Sequence, residues 1–297
     1  MNTKSSSAPK YRLSQDPFDR PEDNSINAKR FIFISAEGTE TEPDYFGHLD
    51  EYIRSYHPEC PYAIHVLGHN RDTKSSPEQV LELLEECSSI RDDEVIFKNI
   101  VKQSSRILKE KHVRAFFSDP GSLPEKKRKE IHSAITKLGI NVDYCRYLRA
   151  IGSRDNGDIF AVVIDREPQA PHGHSKKDLE TILSACQKRN FDFCLSNPCF
   201  DLWLILHFDY RLTPKIRAQL SLNKRVSVDH TYASRLLSNL ARHKKKINKT
   251  KFLRLYLPKT GKALIEAKKL ATSETEVLDK IGTRVPVIIE RFANYLK

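Results

Sequence analysis

Phe31-Ile32-Phe33-Ile34-Ser35-Ala36-Glu37-Gly38-Thr39-Glu40-Thr41-Glu42-Pro43-Asp44-Tyr45-Phe46 is the stretch on which the fold turns. Its first four residues are a continuous apolar run, the mark of a strand buried on both faces. An acidic turn follows. Tyr45, Phe46, Leu49, Tyr52, Ile53 and Tyr56 then recur at helical spacing, with Thr41 and Asp44 as an approximate capping box. The unit repeats along the chain. Tyr62 to Leu67 is a second apolar run, and Ser76-Pro77-Glu78-Gln79 then supplies a cap, a first-turn proline and a returning glutamine ahead of Val80, Leu81, Leu83, Leu84 and Cys87. Ile159 to Ile164 is a third, followed by a helix opened by Ser175 and Asp178. Phe191 to Leu195 is a weaker fourth, after which Asn197-Pro198 is expected to cap a helix that is apolar nearly all round from Phe200 to Phe208. Strand and helix alternate, which predicts an α/β fold with a parallel sheet and helices on its faces.

Three segments depart from that rhythm. Residues 1–28 carry Ser5, Ser6, Ser7, Pro9, Pro17 and Pro21 without apolar periodicity and read as a mobile arm. Residues 91–150 contain basic helical segments such as Glu125 to Leu138 and read as a helical insertion. Beyond Tyr210 the pattern is mainly helical. The expected organisation is an arm (1–28), an α/β domain (29–210) and a helical, basic C-terminal region (211–297).

Over 297 residues, 39% are hydrophobic and 30% charged, enough apolar material for a core and too much for a disordered chain. The longest plainly apolar stretch is far too short to span a bilayer and no charged-then-apolar leader opens the sequence, so neither export nor membrane insertion is expected. Six scattered cysteines with no C-x-x-C pair indicate neither a zinc knuckle nor a disulfide scaffold, and fit a reducing cytoplasm. Gly261-Lys262 lacks the upstream glycine and the Ser/Thr of a P-loop.

The formal net charge is +11. Nearly all of that surplus lies between Arg242 and Leu270, where Arg242, Lys244, Lys245, Lys246, Lys249, Lys251, Arg254, Lys259, Lys262, Lys268 and Lys269 face the single acid Glu266. Phe252 and Tyr256 interleave with them. Such a tract is the electrostatic footprint of phosphate-backbone binding, with Lys244, Lys245, Lys246, Lys249, Lys251, Arg254, Lys259 and Lys262 as candidate contacts. The alternative is a solvated helical face, although such faces usually mix signs.

Acids collect where a parallel sheet presents its ligands, outside the carboxyl ends of strands. The first strand runs into Glu37, Glu40 and Glu42; the third into Asp165-Arg166-Glu167; Asp201 lies one turn into the apolar helix after the fourth. Hard carboxylates from separate strand ends suit Mg²⁺ or Mn²⁺, which bridge to phosphate. Gly38 would let the backbone turn beside the ion and leave room for a phosphate. Each acid also has a structural reading. Glu40 and Asp44 fit a helix N-terminus best. Asp165 could cap the next turn, Glu167 could pair with Arg166 in solvent, and Asp201 could satisfy a buried network. His172 and His174, in Pro171-His172-Gly173-His174, have no second ligand pair at zinc spacing and read as a polar loop.

The arrangement resembles the Toprim fold of topoisomerases, bacterial primases and OLD-type nucleases, which place a glutamate after the first strand and an aspartate pair after a later one. More closely, Glu37 to Phe46 is similar to the E-G-x-x-T-E-x-x-Y-F signature of RloB-like (abortive-infection, AbiL-type) proteins. Ser196-Asn197-Pro198-Cys199-Phe200-Asp201-Leu202-Trp203-Leu204 resembles that family's S-N-P-C-F-E-L-W-L block, and Val163-Ile164-Asp165-Arg166 its aspartate-bearing strand. Glu167 stands where a second aspartate is usual and Asp201 where glutamate is common, each shifting a carboxylate by one methylene. The resemblance implies a bacterial anti-phage defence nuclease that uses Mg²⁺ or Mn²⁺ and works beside an AAA/ABC-type ATPase.

On that reading Glu37, Asp165 and Glu167 hold the metal, and Glu37, Glu42, Asp165 and Asp201 form the catalytic set. The substrate is DNA or RNA, tRNA included, and a homodimer is the commonest closed assembly. The competing expectation is a catalytically silent subunit whose acidic edge is structural and whose basic face docks nucleic acid or a partner. Primase-like nucleotidyl transfer ranks below both, because no zinc module accompanies the core.

Overall fold

A computed structural model describes residues 29–67, 76–91, 109–137, 157–167, 173–242 and 246–296, with isolated positions between 98 and 151. The expected N-terminal arm, His172, Lys244 and Lys245 lie outside the described residues. Strands β1 (Arg30–Ala36), β2 (Tyr62–Leu67), β3 (Ile159–Asp165) and β4 (Asp192–Asn197) are parallel, and β5 (Gly282–Thr283) runs antiparallel to β4. The order is β2-β1-β3-β4-β5. The chain is α/β, as the alternation of apolar runs and helical periods requires.

The pleat of β1 explains why its run is apolar throughout. Phe31 and Phe33 face one layer, and Ile32, Ile34 and Ala36 face the other. The first layer is covered by α2 (Pro77–Arg91) and α5 (Lys176–Arg189), joined by Val113 and Phe116 of α3 (Glu110–Ser118) and Ile131 and Ile135 of α4 (Glu125–Lys137). The described part of the insertion therefore packs into the sheet's own core. The second layer holds α1 (Thr41–Tyr56), α6 (Asp201–Ile205), α7 (Pro214–Leu222), α8 (Tyr232–Ala241) and α9 (Thr260–Ala267).

Two helix starts form as expected. At α2, Ser76 N–H donates to Gln79 Oε1 at 3.0 Å and Gln79 N–H to Ser76 Oγ at 3.4 Å. At α5, Asp178 N–H donates to Ser175 Oγ at 3.1 Å. Two do not. The N-cap of α1 is Glu40, without a side-chain cap bond, so the Thr41–Asp44 box is absent. Asn197 does not cap the helix after β4; its Nδ2 donates to Val277 O at 3.0 Å. The helix is also shorter than the apolar run, although Phe200 to Phe208 are all buried as expected.

The C-terminal region supplies a strand that its helical pattern concealed. Ser196 Oγ and Thr283 Oγ1 are 2.8 Å apart across the β4–β5 pair. Gly282 is required there, because a Cβ would lie 2.1 Å from the Ala271 carbonyl oxygen. At the opposite end of the sheet, Asp158 is buried against Arg91. Its Oδ1 accepts Phe31 N–H at 3.1 Å, its Oδ2 accepts Arg91 Nε at 2.8 Å and bonds Nη2, and Arg91 Nη1 donates to Ile151 O at 2.7 Å.

Candidate active site

The strand order reverses at β1, with β2 on one side and β3 on the other. Such a switch opens a crevice at the carboxyl ends of the two strands, where open α/β sheets bind ligands. Glu37 follows β1 directly and Asp165 ends β3. The backbone joins them first: Glu37 N–H donates to Val163 O at 2.9 Å. Then the side chain returns, with Glu37 Oε2 accepting Asp165 N–H at 3.1 Å. Asp165 Oδ1 accepts Phe200 N–H at 2.8 Å. Asp165 thus fixes the head of α6, the turn expected of Asn197, and the two acids share one neighbourhood.

His174 completes this corner. Its Nε2 lies 2.7 Å from Glu37 Oε1. Burial pulls the imidazole pKa down, but the hydrogen bond and charge of Glu37, with the charge of Glu167, outweigh it and leave the value raised. Arg166 holds the segment in place by donating to the His174 carbonyl and, at 3.2 Å, to Leu278 O. The reading of His174 as part of a polar loop missed this, since a histidine nine positions after Asp165 carries no spacing signal.

Glu167 has a left-handed backbone, with φ at 36°, and its N–H donates to Pro198 O at 2.8 Å. That conformation costs a non-glycine residue about 1–3 kcal/mol and is found where surrounding structure enforces it. Glu42 is buried, and its carboxylate lies over Gly38: a Cβ on Gly38 would sit 2.0 Å from Glu42 Oε2. The space expected to admit a phosphate is therefore filled by Glu42. Asp201 is 2% exposed at the first turn of α6, and its charge reaches Tyr256, whose hydroxyl pKa is raised first by burial and then by Asp201.

Among the described residues no group of three or more His, Cys, Asp and Glu side chains is arranged as a ligand set. A closed protein cage does not fit. Glu37 and Asp165 fit a different kind of site, because Mg²⁺ commonly takes one or two carboxylates and completes its shell with water and phosphate.

The family model described as RloB-like protein matches residues 32–292. The chain belongs to the RloB-like family. No curated protein and no solved structure matches it. The matched region contains both sequence blocks at the rim, and the stretch between them.

The basic tract of this RloB-like chain is more occupied than its composition suggests. Lys249 pairs with Glu51 at 2.6 Å, Lys268 with Glu290 at 3.0 Å and Lys269 with Glu266 at 2.6 Å. Lys262 bonds Asp209 and donates to Phe208 O at 2.7 Å, and Lys259 lies 5.4 Å from the Phe208 ring centre. Lys251 donates to Lys246 O at 3.0 Å. Lys246 and Arg254 are exposed. Phe252 and Tyr256, which the sequence interleaves with these cations, are buried core residues against Tyr45.

Proposed function

We propose that this RloB-like protein is a divalent-metal-dependent, Toprim-type endonuclease that hydrolyses phosphodiester bonds of DNA or RNA in anti-phage defence, under the control of an AAA/ABC-type ATPase. The observation that carries the reading is the bond from Asp165 N–H to Glu37 Oε2, which holds the Glu37 carboxylate against the end of β3 where the strand order reverses. Membership in the RloB-like family is consistent with a defence-associated protein.

Glu37 and Asp165 would hold Mg²⁺ or Mn²⁺, with Glu167 as the third candidate ligand. The ion, when bound, would polarise a phosphoryl oxygen. The remaining steps fall to the chain. Glu42, held in place over Gly38, and Asp201 on α6 would complete the site or orient water, and His174 holds a proton at Nε2 beside Glu37. Backbone donors fix both strand-end acids, so little reorganisation would accompany substrate binding.

The second reading, a silent binding subunit, is favoured by one feature: both Glu37 oxygens already accept hydrogen bonds from the protein. Cleavage separates the two. Purified protein with mixed RNA and DNA and Mn²⁺ is expected to give products on a gel, and Glu37→Ala to give none while still binding. Undiminished cutting by Glu37→Ala would defeat the nuclease reading.

A further inference from the structure

Among its described residues the densest basic run has Lys249, Lys262, Lys268 and Lys269 paired with acids and leaves Lys246 and Arg254 exposed; a second group of open cations lies before it. From Tyr210 to Arg242 the chain carries Arg211, Lys215, Arg217, Lys224, Arg225, Arg235 and Arg242 against the single acid Asp229. Arg211, Lys215, Lys224, Arg225, Arg235 and Arg242 are exposed, and none pairs with an acid among the described residues.

Lys224 and Arg225 lie in a small hairpin between α7 and α8, and Arg235 stands in the first turn of α8. Arg225 and Thr231 form an antiparallel bridge, Val226 N–H donates to His230 O at 2.8 Å and Tyr232 N–H to Lys224 O at 2.9 Å. Its tip breaks the ordinary rule for solvent-facing turns: Val228 is 82% exposed and Val226 47%, beside Lys224 and Arg225. Two bare valines flanked by unneutralised cations suit a partner that is anionic along one edge and apolar along another. Nucleic acid has that character, with phosphates outside and base faces and edges within.

The hairpin is also tied to the candidate active site. Asn223, at its base, has a left-handed backbone (φ 39°) and accepts Ala233 N–H at Oδ1 at 2.9 Å. Its Nδ2 is 3.8 Å from Cys199 Sγ. Cys199 immediately precedes Phe200, whose N–H holds Asp165. Three short links therefore connect the basic hairpin to the acid at the end of β3.

We infer that the Lys224–Tyr232 hairpin is the nucleic-acid grip of this protein, with Lys224, Arg225 and Arg235 on phosphates and Val226 and Val228 against bases. This deepens the nuclease reading by assigning its substrate contact to a surface outside the 242–270 tract. A binding assay in EDTA tests it independently of any metal or cleavage. Fluorescence anisotropy with labelled single-stranded RNA, single-stranded DNA and their duplexes distinguishes the source of the phosphodiester backbone.

The Lys224→Glu/Arg225→Glu double variant is expected to weaken binding about tenfold or more and to lower the salt slope by about 1.4 for single strands. The charge-matched Lys268→Glu/Lys269→Glu variant is expected to bind nearly as wild type. Val228→Ser should weaken binding with the salt slope unchanged; no change there would remove the valines from the assignment. Equal losses in the two double variants, or wild-type binding by Lys224→Glu/Arg225→Glu, would overturn the inference. So would failure of the wild-type chain to bind any of the four probes, which would leave the surface to a protein partner.

Discussion

The two ends of the sheet each seat a carboxylate on a backbone N–H, and they treat it differently. At the amino end, Asp158 accepts Phe31 N–H and is closed off by Arg91, with side chains only 4% and 6% exposed for the arginine and the aspartate. At the carboxyl end, Glu37 accepts Asp165 N–H but its charge partner is His174, and those side chains remain 18% and 13% exposed. One acid is permanently matched by a guanidinium that cannot lose its proton. The other is matched by an imidazole at a crevice. The difference separates an acid closed into the fold by a guanidinium from an acid left partly open at a crevice.

The largest effect should come from breaking the closed end. Asp158→Ala leaves Arg91 buried without its charge partner and is expected to cost about 3–5 kcal/mol, read as a loss in chemical-denaturation midpoint. A cost below about 1 kcal/mol would erase the contrast. Gly38→Ala comes next. The new methyl would collide with the Glu42 carboxylate, and the expected cost is about 1–3 kcal/mol together with impaired cleavage, because Glu42 must leave its buried position. Wild-type stability and cleavage would show that this position is not needed.

The smallest effect is a pH dependence at the open end. The His174 pKa is raised above its ordinary 6.5 in the folded protein. The folded protein therefore binds the His174 proton more tightly than the unfolded chain does. In metal-free protein that stability is fully present below about pH 6.5 and is lost as pH rises through the raised folded value. The stability difference between wild type and His174→Gln should shrink across that interval. A difference that grows with pH would contradict the pairing.

Much of this contrast was legible in the sequence, and the limits have physical causes. The apolar runs of β1, β2 and β3 announce a doubly covered parallel sheet, because only a strand buried on both faces loses its alternation. Glu37 and Asp165 were legible as strand-end acids for the same reason. Asp158 and Arg91 were not, since their partnership spans 67 residues and has no local pattern. β5 is two residues long and is held by pairing to β4 and the close approach of Gly282 to Ala271, with too few residues for any period. The basic tract misled in the opposite direction. Composition counts cations but not the distant acids Glu51, Asp209 and Glu290 that meet them after folding.

The most direct test is titration calorimetry of the purified chain with Mn²⁺, comparing wild type with Glu37→Ala and Asp165→Ala. Saturable uptake by the wild type, lost in both variants while Asp158→Asn retains it, is the expected result. Absence of saturable uptake by wild type, or uptake that survives removal of Glu37, would contradict the claim that the carboxyl end of β1 and β3 is a divalent-ion site.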